Sequence, residues 1–183
     1  MNRAEAYKAV TDNVKNQNLV KHMLATEAIM RALARKFGED EEEWGLAGLL
    51  HDIDIDLLAG DMTNHSKLSA EMVQKMGGSP AMAHAILCHN EAHGVACESR
   101  MDKALYCADP LTGLITAGAL IRPEKKLAAV EASSIRKRFK EKSFAAGASR
   151  EQIASCSTIG LTLEEFIVLG LEAMKGISGD LGL

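Results

Sequence analysis

Helical intervals separate the core-facing positions along most of this chain. Leu19, Met23, Thr26, Met30, Leu33 and Phe37 recur every three or four residues, as on the buried face of a helix, and Gly38 supplies the stop. The acidic run Glu39 to Glu43 suits the start of the next helix, where negative charge meets the positive end of the helix dipole. Its inner face reads Trp44, Ala47, Leu50 and His51, which sets the His51-Asp52 pair at that helix's C-terminal end. A loop through Gly60 and Asp61 leads to a helix near Asn64–Met76, stopped by Gly77-Gly78. Ser79-Pro80 is a start signal, a capping hydroxyl followed by proline where no N–H partner is needed. The helix it opens carries His84 and His89 and ends before Gly94. A further helix, about Glu98 to Ala108, is expected to break at Pro110, because proline disfavours helical geometry in the preceding Asp109. Pro123 is expected to start a later helix, and capping boxes are expected at Ser149-x-x-Gln152 and Thr162-x-x-Glu165. No segment alternates apolar and polar residues as a strand would. The pattern predicts an all-α fold.

Composition agrees. Three prolines, 4% aromatics and 47% apolar residues in 183 suit one helical domain long enough to bury a substantial core. A formal charge of −4 argues against stable nucleic-acid binding, which wants a basic face. It leaves a small phosphate substrate open, because bound cations reverse the local field. Arg122–Lys142 carries eight Lys or Arg against three Glu, read as a solvated helix face rather than a phosphate-attracting rim. The four cysteines (Cys88, Cys97, Cys107 and Cys156) have no CxxC spacing and read as reduced, packed thiols. The N-terminus lacks an apolar signal region, and no run approaches the roughly 20 apolar residues of a membrane span. The expected location is the cytoplasm, without membrane attachment. Nothing in the pattern sets an oligomeric state.

Chemistry enters with the histidines. His22, His51-Asp52, His65, His89 and Asp109 form a series in which each member sits on or beside a different helix. Imidazole and carboxylate together suit divalent ions such as zinc, iron, manganese or nickel. Neighbouring residues on a helix point about 100° apart, so His51 and Asp52 can share an ion only at a helix end or between packed helices. Two assignments stay open at this level. Asp109 precedes Pro110 and can equally cap a helix, and His93 lies one turn after His89 and can take its place. His84 reads as structural or exposed.

These residues resemble the HD-domain superfamily of metal-dependent phosphohydrolases. The resemblance rests on His22, on His51-Asp52 in LLHDID and on Asp109 in YCADPLTGL, with His65 in NHSKLSA and His89 in ILCHNEAHG matching the two extra histidines of its binuclear members. It implies a helical bundle with the metal between helices over about residues 18–125; the stretch over about 126–183, with no ligand-like histidine and no Pro/Gly/Ser linker before it, reads as a helical extension packed on that core as one domain. The resemblance implies one or two divalent ions (Mn, Fe, Ni, Zn or Mg). His22, His51, Asp52 and Asp109 would hold the first, and His65 and His89 the second, with Asp52 bridging. The implied activity is hydrolysis of a small phosphorylated metabolite or nucleotide by a metal-activated hydroxide. Asp52 then belongs to the catalytic apparatus, Lys67 and Lys103 are candidates for phosphate oxygens, and Glu91 or Asp54 for proton relay. The chain departs from common variants. HDIGK becomes HDIDI here, and there is no paired histidine or GYP motif, which disfavours cyclic-di-GMP hydrolysis. A di-iron oxygenase of the same fold and a non-catalytic metal-containing sensor are the alternative readings.

Overall fold

The computed structural model describes all residues 1–183 and contains helices and no strand. The first helix, α1 (Arg3–Asn13), has no counterpart in the sequence reading, although Asn2 and Glu5 close a capping box on it. Helix α2 (Gln17–Phe37) follows the predicted stripe and ends at Gly38, whose φ of 70° is the left-handed turn a glycine adopts freely. Asp40 caps α3 (Glu41–Leu50) by accepting from the Glu43 N–H at 2.9 Å, with three glutamates in its first turn. The α2 and α3 backbones meet at Gly48. A Cβ there would stand 2.9 Å from the backbone of Thr26 and Glu27, so only glycine permits this approach one turn before His51.

Helix α4 is shorter than expected, spanning Lys67–Lys75, because Ser66 sits at φ 70° and breaks the helix after His65. Helix α5 (Pro80–Cys88) starts at Ser79-Pro80 as predicted. Helix α6 corrects the expected break. It runs without interruption over Arg100–Leu120 with Pro110 inside it and Asp109 in its middle. Proline in a helix interior costs about 3 kcal/mol. Leu111, Leu114 and Ile115, all fully buried just beyond it, each contribute roughly 1.5–3 kcal/mol, which outweighs that cost.

Pro123 is also corrected, since it lies in a turn and the next α-helix, α7 (Ala132–Phe139), begins nine residues later. Ser149 caps α8 (Arg150–Ala154) through the Gln152 N–H, but the return bond from Gln152 is absent, so only half of that box forms. The box at Thr162 is complete and opens α9 (Leu163–Lys175), and α10 (Ser178–Leu181) closes the chain. Helix α9 lies tightly on α6, where a Cβ at Gly170 would come within 2.7 Å of Leu111. One hydrophobic cluster runs from Ala6 to Leu181 and includes Phe166, Ile167 and Met174 of α9. No single helix is long and apolar enough to cross a membrane.

Candidate metal centre

The ends of α3 and α5, the second turn of α2, the middle of α6 and the turn before α4 meet at one point. His22 faces it from α2, His51 and Asp52 from the end of α3, His65 from just before α4, His89 from the end of α5, and Asp109 from α6. His22 Nε2 lies 3.1 Å from His51 Nε2 and 3.1 Å from Asp109 Oδ1. Asp52 Oδ1 lies 3.4, 3.3 and 3.4 Å from the Nε2 atoms of His51, His65 and His89, while its Oδ2 lies 3.5 Å from His22. Two ligand atoms each about 2.1 Å from one ion stand about 3.0 Å apart at a right angle and about 3.4 Å apart at the tetrahedral angle. The observed separations match those edges, so the set is able to hold a divalent metal.

The outer nitrogens explain why the inner ones converge. His22 Nδ1 donates to Thr112 Oγ1 at 2.8 Å, His51 Nδ1 to the Gly48 carbonyl at 2.8 Å and His89 Nδ1 to the Ile86 carbonyl at 2.5 Å. His65 Nδ1 donates to Asp54 Oδ1 at 2.8 Å. With each Nδ1 facing an acceptor, the neutral tautomer carries its proton there and leaves the Nε2 lone pair facing inward, the usual arrangement behind metal-binding histidines. Four imidazole lone pairs and two carboxylates then share a space that holds no fixed cationic side chain.

The electrostatics register this. Burial alone would lower the His51 pKa, but Asp52 and Asp109 beside it push it up to about 9. Burial likewise opposes the charge on His65, yet its bonds to Asp52 and Asp54 raise it to about 10. Against the raising effect of burial, the same histidines hold both Asp52 and Asp109 well below the usual carboxylate range. In the absence of a metal, protons supply the positive charge the cluster requires.

Several residues outside the predicted set shape it. Asp54, fully buried, orients His65 and accepts the Ser66 and Ser69 N–H groups at 2.8 and 2.9 Å, which caps α4 and holds Ser66 in its left-handed conformation. Its contacts are those of a positioning group. Thr112, two residues past Pro110, accepts from His22 and donates to the Asp109 carbonyl at 2.7 Å. Of His89 and His93, it is His89 that turns toward the cluster. His89 Nε2 points at Asp52, whereas His93 Nε2 donates to the His65 carbonyl, which Asn90 also holds at 3.1 Å.

The two predicted phosphate-binding lysines are placed differently: Lys67 follows the clustered His65 by two residues, whereas Lys103 does not border the cluster. Lys67 is exposed on the first turn of α4. Lys103 lines a cavity with Glu91, Cys97 and Tyr106 that includes none of the six clustered residues, and Glu91 accepts there from the Tyr106 hydroxyl. The six are most open at His22 and Asp109, whose side chains are 23% and 29% exposed. On that side lies a cavity of about 480 Å³ lined by Asn18, Lys21, His22, Thr112 and Thr116. Lys21, one residue before His22, went unremarked in the sequence reading because a lysine beside a stripe looks like any solvated one.

A helical bundle with this histidine and aspartate set at its centre defines a class, and the chain belongs to the HD domain family, whose model matches residues 19–139. Among curated proteins it is similar to Ribonuclease Y of Sulfurovum sp. (strain NBC37-1), 27% identical over 165 residues, covering 88% of this chain and 32% of that protein. Ribonuclease Y of Geobacter sulfurreducens is 27% identical over 169 residues, 91% of this chain and 32% of the relative. That of Oleidesulfovibrio alaskensis is 31% identical over 98 residues, 54% of this chain and 18% of the relative. The chain spans about a third or less of the length of these relatives. No solved structure matched it.

Proposed function

We propose that this chain is a metal-dependent phosphohydrolase in which His22, His51, Asp52, His65, His89 and Asp109 hold one or two divalent ions. The observation carrying this reading is the convergence of four Nε2 atoms on two carboxylates at the separations a shared ion sets. A bound divalent ion supplies Lewis acidity, lowering the pKa of a water from 15.7 to about 7 and offsetting charge on a phosphoryl group. The protein supplies position. Thr112, Gly48, Asp54 and Ile86 fix the four imidazoles, so little reorganisation remains when an ion enters. Asp52 Oδ1 faces His51, His65 and His89 and its Oδ2 faces His22, so this carboxylate would be available to one or two ions.

Substrate enters on the side of His22 and Asp109, where Lys21 is the cation placed to meet a phosphate and Asn18 and Thr116 offer hydrogen bonds. A cavity of about 480 Å³ fits a small phosphorylated metabolite or nucleotide. A second reading, cleavage of RNA phosphodiesters, is favoured by one observation, the name Ribonuclease Y borne by relatives that match about nine-tenths of the chain.

Elemental analysis with parallel assays tests both, one for phosphate release from a panel of nucleotides and sugar phosphates, one for cleavage of single-stranded RNA, each with Asp52→Ala alongside. Phosphate release that Asp52→Ala abolishes supports the first reading. RNA cleavage without phosphate release selects the second. Two irons with oxygen consumption, or undiminished turnover in Asp52→Ala, overturns hydrolysis at this site.

A further inference from the structure

A second group of ligand-type side chains lies where α5 meets the start of α6, and none of it belongs to the HD cluster. His84 and Cys88 stand one turn apart on α5 and therefore share a face. Asp102 lies in the first turn of α6, only 1% exposed. A ring nitrogen of His84, Cys88 Sγ and an Asp102 oxygen all fall within 4.8 Å of one another, with His84 Nδ1 at 2.9 Å from Asp102 Oδ2. Cys97, in the loop before α6, places its Sγ 3.1 Å from that of Cys88. One further observation sets the group apart. Asp102 Oδ2 accepts from His84 and from the Glu98 and Ser99 N–H groups, each at 2.9 Å, while Oδ1 has no partner at all. It is the one buried side-chain nitrogen or oxygen in the molecule so placed. A charged oxygen is not left buried and unbonded without a large desolvation cost unless something else satisfies it.

We propose that His84, Cys88, Cys97 and Asp102 bind a structural zinc-class ion, distinct from the ion or ions of the HD cluster. Two thiolates, an imidazole and a carboxylate make a closed four-ligand set of mixed softness, which suits zinc and not magnesium or calcium. Binding displaces the two thiol protons and gives Asp102 Oδ1 its missing partner. The ion ties the C-terminal end of α5 to the N-terminus of α6 and closes the loop over residues 89–97. That loop carries Asn90 and His93, which hold the His65 carbonyl, and begins at His89, so the second site steadies two members of the first.

Cobalt is the probe, because the HD cluster offers only nitrogen and oxygen and cannot give a thiolate-to-cobalt charge-transfer absorption. The full chain, purified under reducing conditions and loaded with Co²⁺, is expected to show that near-ultraviolet band, and Asp52→Ala is expected to keep it. The band is expected to weaken in Cys97→Ser or Cys88→Ser and to vanish in the double variant, with the loss of one metal equivalent per chain. Cys88 is buried, so a measurement free of substitution runs beside these. In the wild-type chain, Zn²⁺ is expected to protect Cys88 and Cys97, but not the other two cysteines, from alkylation, and chelation to remove that protection. Absence of the band in folded wild-type protein, its survival in the double variant, alkylation of Cys88 and Cys97 unaffected by Zn²⁺, or a Cys88–Cys97 disulfide in protein isolated without oxidant would each overturn the proposal. All these readouts are independent of phosphohydrolase activity.

Discussion

Helix α2 carries buried charge at two places, five residues or about 7.5 Å of helix apart, and the two solve the same problem in opposite ways. At Glu27, 3% exposed, the protein brings its own cations. Arg3 grips the carboxylate with Nε and Nη2 at 2.6 and 2.9 Å, and Arg31 adds a third bond at 2.9 Å. Arg31 also reaches Glu42 at 2.8 and 3.0 Å, and that pairing, with Glu27, holds it firmly protonated despite partial burial. At His22 there are carboxylates and imidazoles but no Arg or Lys in the cluster. The first arrangement is complete and fastens α1 and α3 to α2. The second is complete only with protons or a metal, which makes it a receptor. Buried charge by itself identifies neither; what matters is whether the counter-charge is part of the chain.

The largest effect that separates them is expected from Asp52→Ala. Losing the carboxylate that faces four imidazoles should cost several kcal/mol of transition-state stabilisation, about a thousandfold or more in turnover, together with most of the bound metal. Helical content by circular dichroism should persist. Metal retained at full stoichiometry would mean that Asp52 does not bridge.

Glu27→Ala is the converse. It removes the carboxylate shared by half-exposed Arg3 and by Arg31, which keeps Glu42, and losing such charge-assisted hydrogen bonds costs about 1–3 kcal/mol. Denaturant unfolding should show that loss while metal content and turnover per folded molecule stay near wild type. A variant of wild-type stability that has lost its metal would erase the distinction between the two regions.

Asp54→Asn is expected to act more mildly, because it leaves all six clustered side chains in place. Its amide can accept only through one oxygen, so either the His65 tautomer or the cap on α4 is lost. Outer partners of this kind are worth roughly 10–100-fold in metal affinity. Titration of the chelated variant with Mn²⁺ reads that shift, and an unchanged affinity would deny Asp54 its positioning role.

Much of this was legible before any coordinates. The six clustered residues stood out because their types and order are unusual, the acidic run marked where α3 begins, and capping residues marked where α5 and α9 begin. The interruption read at Pro110 failed because a local rule met a larger non-local one, the burial of Leu111, Leu114 and Ile115. The hold of Asp54 on His65 and of Thr112 on His22 could not be read, since the partners lie 11 and 90 residues apart and nothing nearby marks the pairing. The same applies to His84 and Asp102, 18 residues apart and joined only by the packing of α5 on α6.

The smallest expected effect is one of pH, and it has opposite signs for chelated and metal-loaded protein. In chelated protein, His51 and His65 are raised to about 9 and about 10 from the ordinary value near 6.5. Their stabilising contribution is therefore complete below about pH 6.5 and is lost as pH climbs through 9 and 10. Asp52 and Asp109, held low, contribute above about pH 4 and lose that contribution only in stronger acid. Chelated protein should accordingly melt at least about 2–4 °C lower at pH 9.5 than at pH 6. A divalent ion substitutes for those protons, so its own stabilising effect should grow over the same interval, with proton release on binding measurable by calorimetry in two buffers of different ionisation enthalpy. At Glu27 no such exchange is possible, because its arginines keep their protons throughout. Chelated melts that rise toward alkaline pH would show that the cluster does not carry protons in place of a metal.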